Sequence, residues 1–374
     1  MASNEQEHPG GPRLLLTGDV MTGRGIDQVL PHPAEPRLYE RWAKSAMRYV
    51  ELAEAANGPI PRPVDFDYIW GDAISSVAHR RPDLRIVNLE TSITRSTTPA
   101  PKGINYKMDP RNIGCLTAFG IDCCVLANNH VADWGPSGLI ETITDLRAAG
   151  IVPAGAGRDA EEAWAPAILP FSGGRLIVLA LGSDSSGIPR SWAARAERPG
   201  VALLSDFTDR SLEAVAAVIG RVKRPGDLAL VSIHWGGNWG YTISAEQRRF
   251  AQGLTRSAGV DLVHGHSSHH PRGLEVHEGK LILYGCGDFL NDYEGIGGEE
   301  KYRPDLTLAY LPELDPATGN LTNLAMLPFH VAKFQLHTAK AEEADWLAAT
   351  LTRQGQALGT RVDHAAGVLR LSWS

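Results

Sequence analysis

No apolar run in the chain approaches the roughly 18 to 20 residues that a membrane helix needs. The longest, such as Leu176–Leu181, are strand-sized, so a bilayer span is not expected. Cysteine is scarce: Cys115, Cys123, Cys124 and Cys286 include no CxxC pair, which excludes a disulfide framework or a cysteine-rich zinc site. Neighbouring Cys123 and Cys124 point to opposite faces of a strand, and all four read as buried, reduced thiols of a cytoplasmic protein. Positive charge is also short, with 36 Lys and Arg against 43 Asp and Glu and a net charge of -7. That leaves no electrostatic reason to expect nucleic acid or an anionic membrane surface as partner. GDVMTGRG has neither the Walker lysine pattern nor a true GxGxxG, and no GxSxG elbow occurs. A nucleotide kinase, a dinucleotide-dependent dehydrogenase and an elbow-type serine hydrolase are therefore disfavoured.

What is present describes a large globular protein: 374 residues, 43% hydrophobic, with 39 Gly and 24 Pro, a loop-rich but ordered composition. Residues 1–12 are polar, end in Gly-Gly-Pro and lack the apolar core of a secretory signal, so they read as a flexible tail before a single domain at 13–374. Val-, Ile- and Leu-rich runs at 13–17, 84–89, 121–126, 176–181, 228–233, 260–263 and 281–284 alternate with helix-like stretches, the pattern of an α/β protein with buried strands. Helices are expected at 38–56, 136–149, 210–222, 245–258 and 342–354, with Gly150 and Gly259 as stops. Hairpins at 167–181 and 273–284 make the sheet mixed. The Pro-flanked segment 27–82 reads as an insertion between the first two strands, able to cover a site.

Polar, metal-competent residues stand just past several strand ends, where the loops of α/β proteins build their sites. LLLTGDVM delivers Asp19, IVNLE delivers Glu90, and CCVLANNHVAD delivers Asn128, Asn129, His130 and Asp133. LALVSIHWGG delivers His234, and VDLVHGHSSHH delivers His264, His266, His269 and His270. Carboxylate, amide and imidazole suit Zn, Mn, Fe or Mg. Plainer readings stand beside these. Asp19 after a glycine fits a turn, Asp133 fits a cap for the helix that follows, and His234 fits a buried, hydrogen-bonded histidine. Five such strand ends in one chain favour chemistry over packing.

The ordered set GDVM, NLE, ANNH, HWG and GHxxH, followed by ILYGCGDF, resembles the CapA family of capsule or poly-γ-glutamate biosynthesis proteins, within the calcineurin-like metallophosphatase superfamily. The resemblance runs over about Arg13 to Pro328. It implies a four-layer α/β/β/α sandwich of two mixed sheets with one or two divalent metal ions at one end. It further implies that Asp19, Glu90, Asn129, His234, His266 and His269 are metal ligands, Glu90 standing at the bridging position, and that His130 is the catalytic acid/base. Arg24 and Lys107 are expected to bind an anionic group of a small or peptide-like substrate. His264, before the glycine, is expected to face elsewhere. Two departures matter: Met21 stands where the superfamily often has a histidine ligand, and Asp288 stands where the family usually has Asn. The expected function is a metal-dependent hydrolase acting on a phosphoester or an amide of γ-glutamyl type. The alternative is a non-hydrolytic component of poly-γ-glutamate assembly that uses the metal to bind an acidic polymer.

Overall fold

A computed structural model describes residues 11–374; residues 1–10 of the expected tail lie outside the described residues. Pro12 is already buried, and its carbonyl accepts a bond from Leu314 N. The apolar runs form the strands the sequence predicts. β1 (Leu14–Val20), β2 (Leu84–Leu89) and β3 (Cys123–Val125) pair in parallel within a ten-stranded sheet. β4 (Gly174–Ser183), β5 (Leu228–His234) and β6 (Leu262–His266) pair in parallel within a seven-stranded sheet. β7 (Asp288–Leu290) returns to the larger sheet and runs parallel to β1 with Asp288 beside Asp19. Antiparallel partners complete both, so each sheet is mixed.

Alternation of side chains sorts the core into apolar clusters. Leu14, Leu16, Ile86 and Val125 of one sheet pack with Val178, Leu230, Leu262 and Leu283 of the other. The opposite face of the larger sheet, Leu15, Val87 and Cys124, meets Val50, Val77 and Ile143 of the helices Met47–Asn57, Asp72–Ala78 and Gly135–Ala148. The opposite face of the smaller sheet, Leu179, Val231 and Val263, meets Val215 and Phe250 of the helices Asp209–Val222 and Ala245–Ser257. Cys123 and Cys124 fall on opposite faces, and all four thiols are buried and free. The second of those helices starts with a reciprocal cap: Ser244 Oγ accepts from Gln247 N at 3.0 Å and Gln247 Oε1 accepts from Ser244 N at 3.3 Å.

Two expectations are corrected. The helix expected from 38 to 56 begins only at Met47, because Glu40 is drawn inward to Arg24 while Leu38 and Ala43 pack on Tyr49. The strands Leu306–Leu314 and Leu321–Ala332, which carry Pro312 and Pro328, form the largest antiparallel pair of the larger sheet.

The 27–82 insertion is tied to the body by a buried charge cluster. Arg24 Nε donates to Asp292 Oδ2 at 2.8 Å, a further Arg24–Asp292 bond closes the fork, and Nη1 donates to Glu40 Oε1 at 3.1 Å and the Tyr49 hydroxyl at 2.6 Å. Removing the guanidinium leaves two buried carboxylates without a counter-charge. Arg24→Ala is therefore expected to destabilise the fold by roughly 3–5 kcal/mol. Urea denaturation checks this, and a change below about 1 kcal/mol would show that the cluster does not hold the insertion.

Candidate metal centre

Parallel strands place their C-terminal ends on one edge of each sheet, and those two edges meet. His264 Nε2 on β6 lies 2.9 Å from the Thr17 carbonyl of β1, and Ser267 N donates to Asp19 Oδ2 at 3.2 Å. Asp19 N donates to the Gly287 carbonyl at 3.0 Å; a Cβ on Gly18 would sit 1.7 Å from that oxygen, so the close approach requires glycine. Ser267 adopts a φ of 102°, a conformation costing a non-glycine residue on the order of 1–3 kcal/mol, at the bend between His266 and His269.

The six expected ligands gather there. Potential ligand atoms of Asp19, His234 and His266 lie within 4.8 Å of one another, as do those of Asp19, His269 and Asp288. Glu90 Oε1 is 3.9 Å from His234 Nε2, and Asn129 Oδ1 is 2.8 Å from the same nitrogen. His234 is thus no isolated core histidine, and Asp19 is no turn residue. Asn128 plays a different part: its amide bonds Asn88 and the Leu89 carbonyl and accepts from the backbones of His130 and Val131, holding the loop in shape.

His264 does not face elsewhere. Burial pushes its pKa down to about 4, so it is neutral near pH 7, and the Thr17 carbonyl demands the proton on Nε2. Its Nδ1 then accepts from Ser232 Oγ at 3.0 Å, and Ser232 Oγ in turn accepts from His266 Nε2 at 2.8 Å. His266 Nδ1 is left with a bare lone pair, 2.8 Å from His234 Nδ1. Two imidazoles sharing one ion at about 2.0–2.1 Å each are separated by a similar distance, roughly 3 Å.

His130 lies on the other side of the pocket. Its Nδ1 is 2.6 Å from Asp133 Oδ2, and its Nε2 is 3.7 Å from Glu90 Oε1. Asp133 does not cap the following helix, whose N-cap residue is Trp134 with no side-chain bond. Lys102, which the motifs did not point to, donates to Asp133 Oδ1 at 2.8 Å and to the Asn129 carbonyl. Burial lowers the His130 pKa to about 4 despite Asp133, so its outward nitrogen carries a lone pair. The two cations expected on substrate are engaged elsewhere. Arg24 is buried among Asp292, Glu40 and Tyr49, and Lys107 rests 3.9 Å over the Trp134 ring and 3.3 Å from the Ser96 carbonyl.

The electrostatics test whether a cation fits. Burial, followed by the charge of Asp288, drives the Asp19 pKa up to about 7. Burial and the Asp19 charge likewise raise Glu90, whose Oε2 is buried without any hydrogen-bond partner. Burial holds His234 and His266 well below the ordinary imidazole range, in the neutral form that ligates metals. The Asp288 carboxylate outweighs burial and raises His269, so that pair partly balances itself, whereas Asp19 and Glu90 stay crowded beside the neutral nitrogens of His234 and His266, a donor set that suits a divalent cation. By contrast, Asp305 and Glu343, which gather at His330, are already answered by Arg303 at 2.6 and 3.3 Å.

Residues 13–293 match the family described as bacterial capsule synthesis protein PGA_cap. The chain belongs to that family. It is 47% identical over 358 residues to a probable polyglutamine synthesis accessory protein of Mycobacterium tuberculosis, covering 95% of this chain and 94% of that protein. It is 26% identical over 277 residues to the PGA biosynthesis protein CapA of Bacillus subtilis, covering 74% of this chain and 62% of that one. The capsule biosynthesis protein CapA of Bacillus anthracis is 28% identical over 288 residues, with 76% and 62% covered. The CapA resemblance read from the motifs is thus correct, and no helix among the described residues is long and apolar enough to cross a membrane.

The proton chain through Ser232 makes a graded prediction. His266→Ala removes a donor atom, whereas His264→Ala only frees the tautomer of His266 and is expected to weaken metal binding by about 10- to 100-fold. Metal titration followed by calorimetry checks it; wild-type affinity in His264→Ala would break the chain of bonds.

Proposed function

We propose that this PGA_cap protein is a metal-dependent hydrolase of metallophosphatase type, a four-layer α/β/β/α sandwich carrying a dinuclear centre held by Asp19, Glu90, Asn129, His234, His266 and His269. Its substrate would be an anionic phosphoester or an amide or γ-glutamyl-type bond. Divalent ions bound there would polarise a substrate oxygen and make water nucleophilic near neutral pH.

The observation that carries the reading is the orientation of His130. A module that only binds an anion through metal has no use for an imidazole held at 2.6 Å by a buried carboxylate, with its other nitrogen aimed at Glu90. Asp133 fixes the proton on Nδ1 and steadies the charge when Nε2 accepts a second, and Lys102 holds Asp133 in place. The same Nε2 then returns its proton to the departing group. Tyr106, edge-on to His130 at 4.4 Å between ring centres, and Tyr293, edge-on to His269 at 5.2 Å, pack against the two imidazoles. Beyond Tyr106 the Arg24 cluster places Glu40 and Tyr49 of the 27–82 insertion, which supports the insertion as cover for this side. Four buried free thiols suit the reducing cytoplasm.

A second reading follows from the printed names of the relatives, an accessory protein and biosynthesis proteins: a non-hydrolytic component of poly-γ-glutamate assembly that grips an acidic polymer through its metal. One variant separates the two. His130→Asn is expected to keep its metal and lower kcat by about 10²–10⁴, measured over a panel of phosphate esters and γ-glutamyl amides. Wild-type turnover with full metal would remove His130 from catalysis, and absence of turnover by the wild type on every member of the panel would favour the polymer-binding reading.

A further inference from the structure

The expected ligand set leaves the two halves of the centre unequal. His234 and His266 bring their Nδ1 atoms within 2.8 Å of each other and 4.0 and 3.8 Å from Asp19 Oδ1, while Asn129 Oδ1 and Glu90 Oε1 lie at the opposite nitrogen of His234. Asp19 also meets His269, but on that side Met21 brings a thioether where a histidine ligand often stands, and its sulfur accepts the Tyr293 hydroxyl at 3.6 Å. A ligand is missing from that half.

The sheet supplies another. β7 pairs with β1 so that Asp288 stands directly beside Asp19, and its carboxylate lies within 4.8 Å of ligand atoms of both Asp19 and His269. Asp288 Oδ1 is 2.8 Å from His269 Nδ1, and Asn291 Nδ2 donates to its Oδ2 at 2.8 Å, which fixes the carboxylate plane. The buried Glu90 beside Asp19, with its unpartnered Oε2, is an independent sign that a cation belongs at this cluster.

Resting on the metal-centre reading above, we propose that Asp288 is a metal ligand taking the place Met21 leaves vacant, and that the Asp19, His269 and Asp288 group selects Mn²⁺ while the Asp19, His234 and His266 group selects Zn²⁺. The chemistry is that of donor hardness. Two carboxylates and one imidazole suit a hard, oxygen-seeking ion, whereas two imidazoles with one shared carboxylate suit zinc. Geometry alone also allows Asp288 merely to orient His269 through Nδ1. Asn at 288 separates these roles, since its amide oxygen still accepts from Nδ1–H but lacks the negative charge that a carboxylate brings to a hard ion.

The test uses the full chain, stripped of metal and then dialysed against equal Mn²⁺ and Zn²⁺. Elemental analysis is expected to find one of each per chain, with the electron paramagnetic resonance spectrum of an isolated Mn²⁺ rather than a coupled pair. Asp288→Asn should lose Mn²⁺ by at least tenfold in affinity and keep Zn²⁺, and His266→Ala should do the reverse. Wild-type Mn²⁺ binding by a folded Asp288→Asn, or two like ions per wild-type chain, overturns the proposal while leaving the metal centre intact. A wild-type chain that binds neither ion overturns the metal-centre reading and this proposal together.

Discussion

Three carboxylates, Asp19, Glu90 and Asp288, are buried side by side where two sheet edges meet, and their ion-pair partners among the described residues are histidines rather than lysine or arginine. Desolvating each anion costs several kcal/mol, and mutual repulsion adds to it. The rise of Asp19 to about 7 and the upward shift of Glu90 express that cost as retained protons. A fold tolerates such a cluster when a cation answers it. Of the neighbouring imidazoles, burial keeps His234 and His266 neutral with lone pairs to offer, while at His269 the Asp288 carboxylate outweighs burial and raises the pKa.

Much of the surrounding structure holds these groups in place. The approach of Gly18 to Gly287, the strained turn at Ser267 and the run of bonds from Thr17 through His264 and Ser232 to His266 each constrain a donor atom rather than extend the core. They also join the two sheets at the one edge where every strand-end ligand emerges. His130 is held by Asp133 and Lys102, so the group proposed to move protons is fixed independently of the groups proposed to bind an ion.

The sequence made the strand ends legible because parallel strands repeat one rule: an apolar run, then a polar residue at its C-terminal end. That rule, narrowed by the family resemblance from a longer set that also held Asn128, Asp133, His264 and His270, brought out Asp19, Glu90, Asn129, His130, His234, His266 and His269 as candidates without any knowledge of how the strands are ordered. It failed where position depends on pairing. Asp288 showed in the sequence only as a departure from the family's Asn; its place beside Asp19 comes from the parallel pairing of β7 with β1. Lys102 lies in a loop with no periodicity, and nothing local shows that it reaches Asp133. His264 was set aside for preceding a glycine, yet the pairing of β5 with β6 sets it directly opposite Ser232, whose hydroxyl it bonds. Arg24 looked like a substrate ligand because its charge is visible and its buried partners Asp292 and Glu40 are distant in sequence. In the fold, prolines 312 and 328 concealed two long strands, and a helix-like pattern at 38–46 yielded to tertiary contacts of Glu40 and Leu38.

The central claim is that the carboxylate cluster exists to hold divalent cations, and native mass spectrometry of the protein purified without chelator tests it most directly. The account predicts two divalent ions per chain, lost together with several degrees of melting temperature on treatment with a chelator and regained when metal is restored. A chain that carries no ion and has the same melting temperature with and without chelator would contradict it.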